Sequence, residues 1–356
     1  MPHVVRLALV GLGNVGRAFL ELMDGKADLL RARYGLELLL TGVADSRGAL
    51  IVEQGIDPSA LRAHKSAGKG VGEYHAGLPG LSAPEMVARA PADFLLEAAA
   101  VNLRTGQPGL DCTRIALQRG MGAVLADKGP MVNAFGELTA AAAGGPGLAY
   151  SATVCGALPV LNIGRRDLVA CRIARLRGVF NSTSNYILGS MARGESYAQA
   201  LRQAQLDGVA EADPSLDVQG WDTANKLVIV ANSILGQPAT LDDVAPVTGI
   251  IGIAAAEVQE RAAAGEVAKL VASADWAGDR YRLRVEPTWL PANDFLAGIS
   301  GWEMGILIET DIMGVQQFKV DEHGPIPTAA AMLRDLVNLA VGPKAGPYRP
   351  LAADRG

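Results

Sequence analysis

The sequence predicts an α/β protein with a doubly wound first half and a mixed α+β second half. Three observations predict it. Residues 4–10 are an apolar run broken only by Arg6, ending in Gly11-Leu12-Gly13-Asn14-Val15-Gly16 and passing into a helical pattern over 17–23. Further short apolar runs at 38–44, 94–96 and 122–126, with a helical pattern at 110–120, have the spacing of strand-helix-strand units. After Gly144-Gly145-Pro146-Gly147 that rhythm stops, which marks a second domain. A chain of 356 residues, 49% hydrophobic and 19% charged, can bury a core large enough for both.

Taken in order, the first unit reads as strand, glycine turn, helix. The glycines allow a tight turn and close backbone approach, and the helix start offers unpaired N–H groups to a pyrophosphate, the layout of a Rossmann-type dinucleotide site. Gly11, Gly13, Asn14, Val15 and Gly16 are therefore the expected phosphate contacts. The second strand ends at Asp45-Ser46-Arg47. An acid at that strand tip can accept hydrogen bonds from an adenosine ribose, whereas Arg47 can meet a 2′-phosphate, so NAD and NADP both remain open. Residues 50–90 read as loops and short helices, with His64 and His75 as packing or surface residues. The strand at 94–96 ends in Glu97-Ala98-Ala99-Ala100, and the strand at 122–126 ends in Asp127-Lys128-Gly129-Pro130. Both ends fall at the ligand edge of a parallel sheet.

In the second half, residues 150–159 read as a strand running into a small-residue turn, suited to close packing or to carbonyls around a cation. A strand over 174–180 leads into Asn181-Ser182-Thr183-Ser184-Asn185, more polar groups than one helix cap needs, which suggests a ligand pocket. Strands follow at 281–285 and 304–310, and a Pro/Gly-rich turn at 324–328 opens an Ala-rich helix through Leu339.

The formal net charge of −5 and short basic clusters give no footprint for nucleic acid. Three scattered cysteines give neither a disulfide framework nor a zinc site and suggest a reducing compartment. No signal-peptide layout and no apolar run of membrane-spanning length are present, so the expectation is a cytoplasmic protein without membrane partners.

Chemistry concentrates in GVAEADPSLDVQGWDTANKLVIVANSIL, residues 208–235. Apolar positions at Trp221, Ala224, Leu227, Val228, Ala231 and Leu235 predict a helix with one stripe on a core, entered through Pro214 and Ser215. Asp222 and Lys226, four apart, share a face, and Glu211, Asp213 and Asp217 precede them. An ordinary surface ion pair has the same spacing. Here, however, the lysine is followed at once by Leu227-Val228-Ile229-Val230, so it leaves a buried element, where its environment can tune it for proton exchange.

Together the segments GLGNVG, ADSRG, NLRTGQPG, ADKGP, SATVCGALP, GVFNSTSNYIL, EADPSLDVQGWDTANKLVIVA and PTAAAMLRDL resemble the homoserine dehydrogenase family, in its order and over almost the whole chain. The resemblance implies a dinucleotide-binding domain over 1–145, a substrate and dimerisation domain over 146–315, and a C-terminal segment over 316–356 returning to the first. It implies NAD or NADP as cofactor, a homodimer, and reversible conversion of L-homoserine to L-aspartate 4-semialdehyde, in a short form without kinase or regulatory domain. Lys226 resembles the family's catalytic lysine and Lys128 its second lysine near nicotinamide and substrate. Glu211, Asp217, Asp222 and Thr183 resemble its substrate contacts. Ala99, Ala100 and Gly324 fall at cofactor positions. Ser151, Val154, Gly156 and Leu158 align with a site where mostly backbone carbonyls hold Na or K.

The chain also departs from the family. Val209 stands where a tyrosine is common, Ala99-Ala100-Val101 replaces a Thr-Pro-Thr-like run, Cys155-Gly156-Ala157 replaces glycines, and Ser151 replaces a glutamate. A dehydrogenase for another small hydroxy or oxo amino acid, and a non-catalytic NAD(P)-binding regulator, therefore stay open. Retention of both lysines and the acids argues against the second.

Overall fold

The computed structural model describes residues 2–342. The chain divides into two compact units, Met1–Ala152 with Thr328–Gly356, and Thr153–Pro327. The first boundary lies beyond the expected 145/146 because Leu148–Ala149 adds a sixth strand to the first sheet. The second lies beyond 315/316 because Val315–Asp321 pairs within the second sheet. Of the expected C-terminal segment, 343–356 lie outside the described residues.

The first unit begins with β1 (His3–Val10), α1 (Asn14–Gly25), α2 (Ala27–Tyr34), β2 (Leu36–Asp45), β3 (Gly48–Ile51), α3 (Pro58–Ser66) and α4 (Ala83–Arg89). It continues with β4 (Phe94–Glu97), α5 (Gly109–Gln118), β5 (Gly122–Leu125), α6 (Gly129–Ala141) and β6 (Leu148–Ala149). The sheet order is β3-β2-β1-β4-β5-β6, parallel apart from the β2–β3 pair. Short strands buried at nearly every position, such as Phe94–Glu97, are what a parallel sheet covered on both faces requires. Strand β3, the antiparallel partner of β2, is not among the strands the sequence predicts.

The second unit contains α7 (Val160–Asn162), β7 (Ile173–Val179), α8 (Ser182–Ala192), α9 (Tyr197–Leu206), α10 (Ser215–Val218) and α11 (Trp221–Ile234). After these come β8 (Val244–Val247), α12 (Ala255–Ala263), β9 (Glu266–Trp276), β10 (Tyr281–Pro291), β11 (Glu303–Thr310) and β12 (Val315–Asp321). Its sheet runs β12-β11-β7-β9-β10-β8, antiparallel except for the β10–β8 edge. Val179, Val271, Leu290, Leu296, Ile299 and Leu307 form one core on it. The last helix, α13 (Ile326–Val341), sends Ala329, Met332, Leu336 and Val337 into the core of the first unit. The fold is thus the expected Rossmann-type domain with an α+β second domain.

Two expectations are corrected here. Residues 151–153 are a 3₁₀ turn and not strand, because the Ser151 N–H and hydroxyl both donate to Asp335 on α13, 2.9 and 2.7 Å away, and leave the ladder. The helix at 217–235 is broken by Gly220 at φ 87° into α10 and α11. Its burial is also not a single stripe: every residue from Asp222 to Ala231 is buried, while Trp221 at the N-terminus is 39% exposed.

Candidate active site

In the first unit, the glycine turn follows β1 as read. Gly11 has φ +92°, and a Cβ there would lie 2.3 Å from the Ala98 carbonyl oxygen. A Cβ on Gly16 would lie 2.1 Å from the Gly11 carbonyl oxygen, so both positions need glycine. Gly13, by contrast, faces open space and caps α1 without a side-chain acceptor. An uncapped helix start beneath open space fits a pyrophosphate, with Asn14 and Val15 as its first residues. Arg17, which carries no motif signal, reaches back over this turn, its Nη2 donating to Asn14 Oδ1 at 2.8 Å.

Asp45 sits at the β2 tip, and its carboxylate accepts the N–H groups of Arg47 (2.8 Å) and Val71 (3.2 Å) and pairs with Lys65. Burial pushes its pKa up, but Lys65 and the two amides outweigh this and hold it below the usual carboxylate range. The Arg47 guanidinium is turned to the Gly68 carbonyl (2.7 Å) and Glu73 (3.4 Å). Lys65, on α3 and twenty positions away, has no sequence signal tying it to Asp45. His64 does have a packing role, with Nε2 2.8 Å from the Gly70 carbonyl and its ring edge-on to Tyr74.

Glu97 closes β4, and Asp127 lies two residues past the end of β5, whose Leu125 pairs with Glu97; both acids are buried. Glu97 Oε1 accepts the Ala99 N–H at 2.9 Å, and Asp127 Oδ1 accepts the Gly129 N–H at 2.8 Å. Burial first, then the charge of Asp127, push the Glu97 pKa up to about 8. Burial also raises that of Asp127, against the pull of the Gly129 amide and Lys128. Lys128 is half-buried at the N-cap of α6, Ala99 is half-buried, and Ala100 is exposed.

In the second unit, Lys226 is buried on α11. Its Nζ donates to the Phe180 carbonyl at 2.6 Å and lies 2.8 Å from Asp222 Oδ2. Burial opposes its charge, but Asp222, with Cys155 and Asp217, outweighs burial and raises the pKa above the ordinary lysine value. Lys226 is thus an ammonium at neutral pH. Asn181 joins the acids: its Nδ2 donates to Asp217 Oδ1 (2.6 Å) and Asp222 Oδ2 (2.9 Å), and its Oδ1 caps α8 by accepting the Ser184 N–H (2.8 Å). Thr183 is buried, its hydroxyl donating to the Val209 carbonyl at 2.9 Å. Glu211 stands exposed in the loop before α10, outside this hydrogen-bonded group, and Asp213 caps Ser215. Gly324, φ +70°, lies exposed in open space.

The four residues expected at a cation site each make other contacts in the structure. The Ser151 hydroxyl donates to Asp335 and accepts from the Arg334 guanidinium at 2.5 Å. The Leu158 carbonyl already accepts the Val160 N–H at 2.8 Å. Val154 is buried, and Gly156, φ +49°, packs against the Glu322 carboxylate, which accepts the Ala157 N–H at 3.0 Å. Among the described residues, no group of three or more His, Cys, Asp or Glu is arranged to hold a metal, and no helix is long and apolar enough to cross a membrane.

A doubly wound domain with an open glycine turn, and a second domain holding a buried, carboxylate-paired lysine, define a dinucleotide-dependent dehydrogenase class. Comparison with known proteins narrows this. The homoserine dehydrogenase family model matches residues 159–337. A homoserine dehydrogenase of Methanocaldococcus jannaschii is 32% identical over 336 residues, covering 94% of this chain and 98% of that protein. An NAD(+)-dependent homoserine dehydrogenase of Pseudomonas canavaninivorans is 31% identical, covering 94% and 96%. The crystal structure of a putative homoserine dehydrogenase from Archaeoglobus fulgidus superposes with a TM-score of 0.84 at 35% identity, covering 95% of this chain and all of that one. The chain belongs to the homoserine dehydrogenase family.

Proposed function

We propose that this chain interconverts L-homoserine and L-aspartate 4-semialdehyde, with a nicotinamide dinucleotide as hydride carrier. The observation that carries the reading is Lys226, a buried ammonium held between the Phe180 carbonyl and Asp222, with Asp217 tied to the same group through Asn181. The cofactor, when bound, supplies the hydride to the aldehyde carbon or takes it from the alcohol carbon. Lys226 donates a proton to the aldehyde oxygen in reduction and receives it back in oxidation. Asp217, Asp222 and Glu211 hold the substrate ammonium, and Thr183 lines the same pocket. Lys128 neutralises charge at the substrate end of the cofactor.

Gly11, Gly13, Asn14, Val15 and Gly16 hold the pyrophosphate, with Ala99, Ala100 and Gly324 along the cofactor. NAD is the form we favour, because the Asp45 carboxylate at the tip of β2 opposes a 2′-phosphate and Arg47 is already paired with Glu73. No step is assigned to a monovalent cation. The family resemblance supports a cytoplasmic homodimer acting on a small molecule, with neither nucleic acid nor membrane as partner. An assay of the purified protein with homoserine and each nicotinamide cofactor tests the reading. Turnover of another hydroxy amino acid in place of homoserine would redirect it to the departures at Val209 and Ala99.

A further inference from the structure

The two carboxyl groups at the ends of β4 and β5 are not used by the chemistry above, and their geometry is unusual. Asp127 Oδ2 and Glu97 Oε1 lie 2.9 and 3.1 Å from the point a Cβ on Gly109 would occupy, so glycine at the start of α5 is what lets both carboxyls share one small space. Each uses one oxygen to tie down the loop that follows its own strand: Glu97 holds the Ala99 amide and Asp127 holds the Gly129 amide. The other oxygen of each, Glu97 Oε2 and Asp127 Oδ2, is buried without a hydrogen-bond partner among the described residues. Two buried carboxylates with two orphaned oxygens are a high-energy arrangement, and a single proton removes both problems at once, because a carboxylic acid donates to a neighbouring carboxylate.

We propose that Glu97 and Asp127 hold one proton between them and act as positioning residues, locking the loop of Ala99 and Ala100 to the loop of Lys128. The inference rests on the reading of those loops as the nicotinamide end of the cofactor site. Losing the proton sets two negative charges against each other between the loops. The bound geometry of the cofactor is lost with it.

The charged neighbours leave this proton to the pair. Lys128 follows Asp127 directly and favours the ionised form of Asp127. From α5 the buried Cys112 thiol faces Glu97, and burial, then Glu97 and Asp111, push its pKa up, so it stays neutral. Asp111, Arg114 and Glu137 pair with one another on the outside of α5 and α6. Before β4, the Asp93 carboxylate accepts the Arg6 backbone N–H at 2.7 Å, away from the carboxyl ends of the strands.

The test uses the full-length protein and its Glu97→Gln and Asp127→Asn variants, each of which keeps side-chain shape and removes one ionisation. In the wild type, NADH affinity followed by fluorescence should weaken as pH rises beyond the Glu97 midpoint, by about tenfold per pH unit when only the protonated pair binds. Both variants should bind NADH at neutral pH within about threefold of wild type and lose that alkaline weakening. Infrared difference spectra should show a protonated-carboxyl band at neutral pH that Glu97→Gln abolishes. Glu97→Ala should raise the KM for cofactor about tenfold or more, a loss that Glu97→Gln does not share. An alkaline limb identical in wild type and both variants, or no protonated-carboxyl band at neutral pH, would overturn the proposal. Neither readout needs homoserine, so a protein that binds NADH with this pH profile yet fails to oxidise homoserine would refute the substrate assignment and leave the shared proton standing.

Discussion

Replacing Asn181 tests the second-unit site where the structure goes furthest beyond its sequence. One buried side chain caps α8 through Oδ1 and bridges Asp217 and Asp222 through Nδ2. Asn181→Ala removes the cap, worth about 1 kcal/mol. It also removes two hydrogen bonds to carboxylates, each worth about 1.5–3 kcal/mol. Because one side chain makes all three, the losses overlap, and a destabilisation of about 3–4 kcal/mol is expected from thermal or urea unfolding. Asp222, released from Asn181, turns wholly onto Lys226 and makes its ammonium a weaker acid. In the folded fraction kcat should therefore fall about tenfold or more while NADH affinity changes less than about twofold. Asn181→Asp separates the two roles, since aspartate caps a helix as well as asparagine but cannot bridge two carboxylates. It should recover much of the cap and none of the rate. If Asn181→Ala unfolds easily yet its folded fraction turns over like wild type, Asn181 is a cap and nothing more.

Three further outcomes are expected. Because folding raises the Glu97 pKa from 4.5 to about 8, the unfolded chain gives up this proton first, and stability falls as pH climbs through that window. Glu97→Gln should remove that slope and raise stability near the upper end of the window by about 1–3 kcal/mol in urea unfolding, whereas an unchanged slope would show Glu97 to be ionised in the fold. The ratio of kcat/KM for NAD to that for NADP should favour NAD and shrink in Asp45→Ala; a strong wild-type preference for NADP would place the ribose contact elsewhere. Glu211→Gln should lower kcat/KM for homoserine by about ten- to a hundredfold with cofactor affinity and melting temperature kept, and unaltered kinetics would exclude Glu211 from the substrate site.

What could be read from the sequence, and what could not, follows from the range of the interactions. The first sheet was legible because β1, β4 and β5 are continuous apolar runs closed by turn residues, and the glycine turn is local. The Asp222–Lys226 pair was legible because the two are one helical turn apart, whereas Glu211 stands outside their hydrogen-bonded group. Asn181 was legible as one of a run of polar residues suited to a cap or a pocket, but its bridge to Asp217 and Asp222 was not, since those partners are 36 and 41 positions away. The same distance effect hid Lys65 from Asp45 and Asp335 from Ser151. Burial on all sides defeated periodicity twice. Helix α11 is enclosed from Asp222 to Ala231, so its pattern could not tell Trp221 at the exposed end from a core residue. Strand β9 is buried at seven successive positions and shows no alternation. The Glu97–Asp127 pair, thirty positions apart along the chain, becomes a pair only when β4 and β5 lie side by side.

The central claim is that Lys226 moves the proton while the hydride passes, and Lys226→Ala tests it most directly. Steady-state rates should be measured in both directions beside NADH binding by fluorescence. The variant should bind NADH within about twofold of wild type and lose about 10²–10⁴-fold in kcat, the span of a single general acid–base group. A Lys226→Ala protein that is folded and turns homoserine over at close to the wild-type rate would remove this lysine from the mechanism.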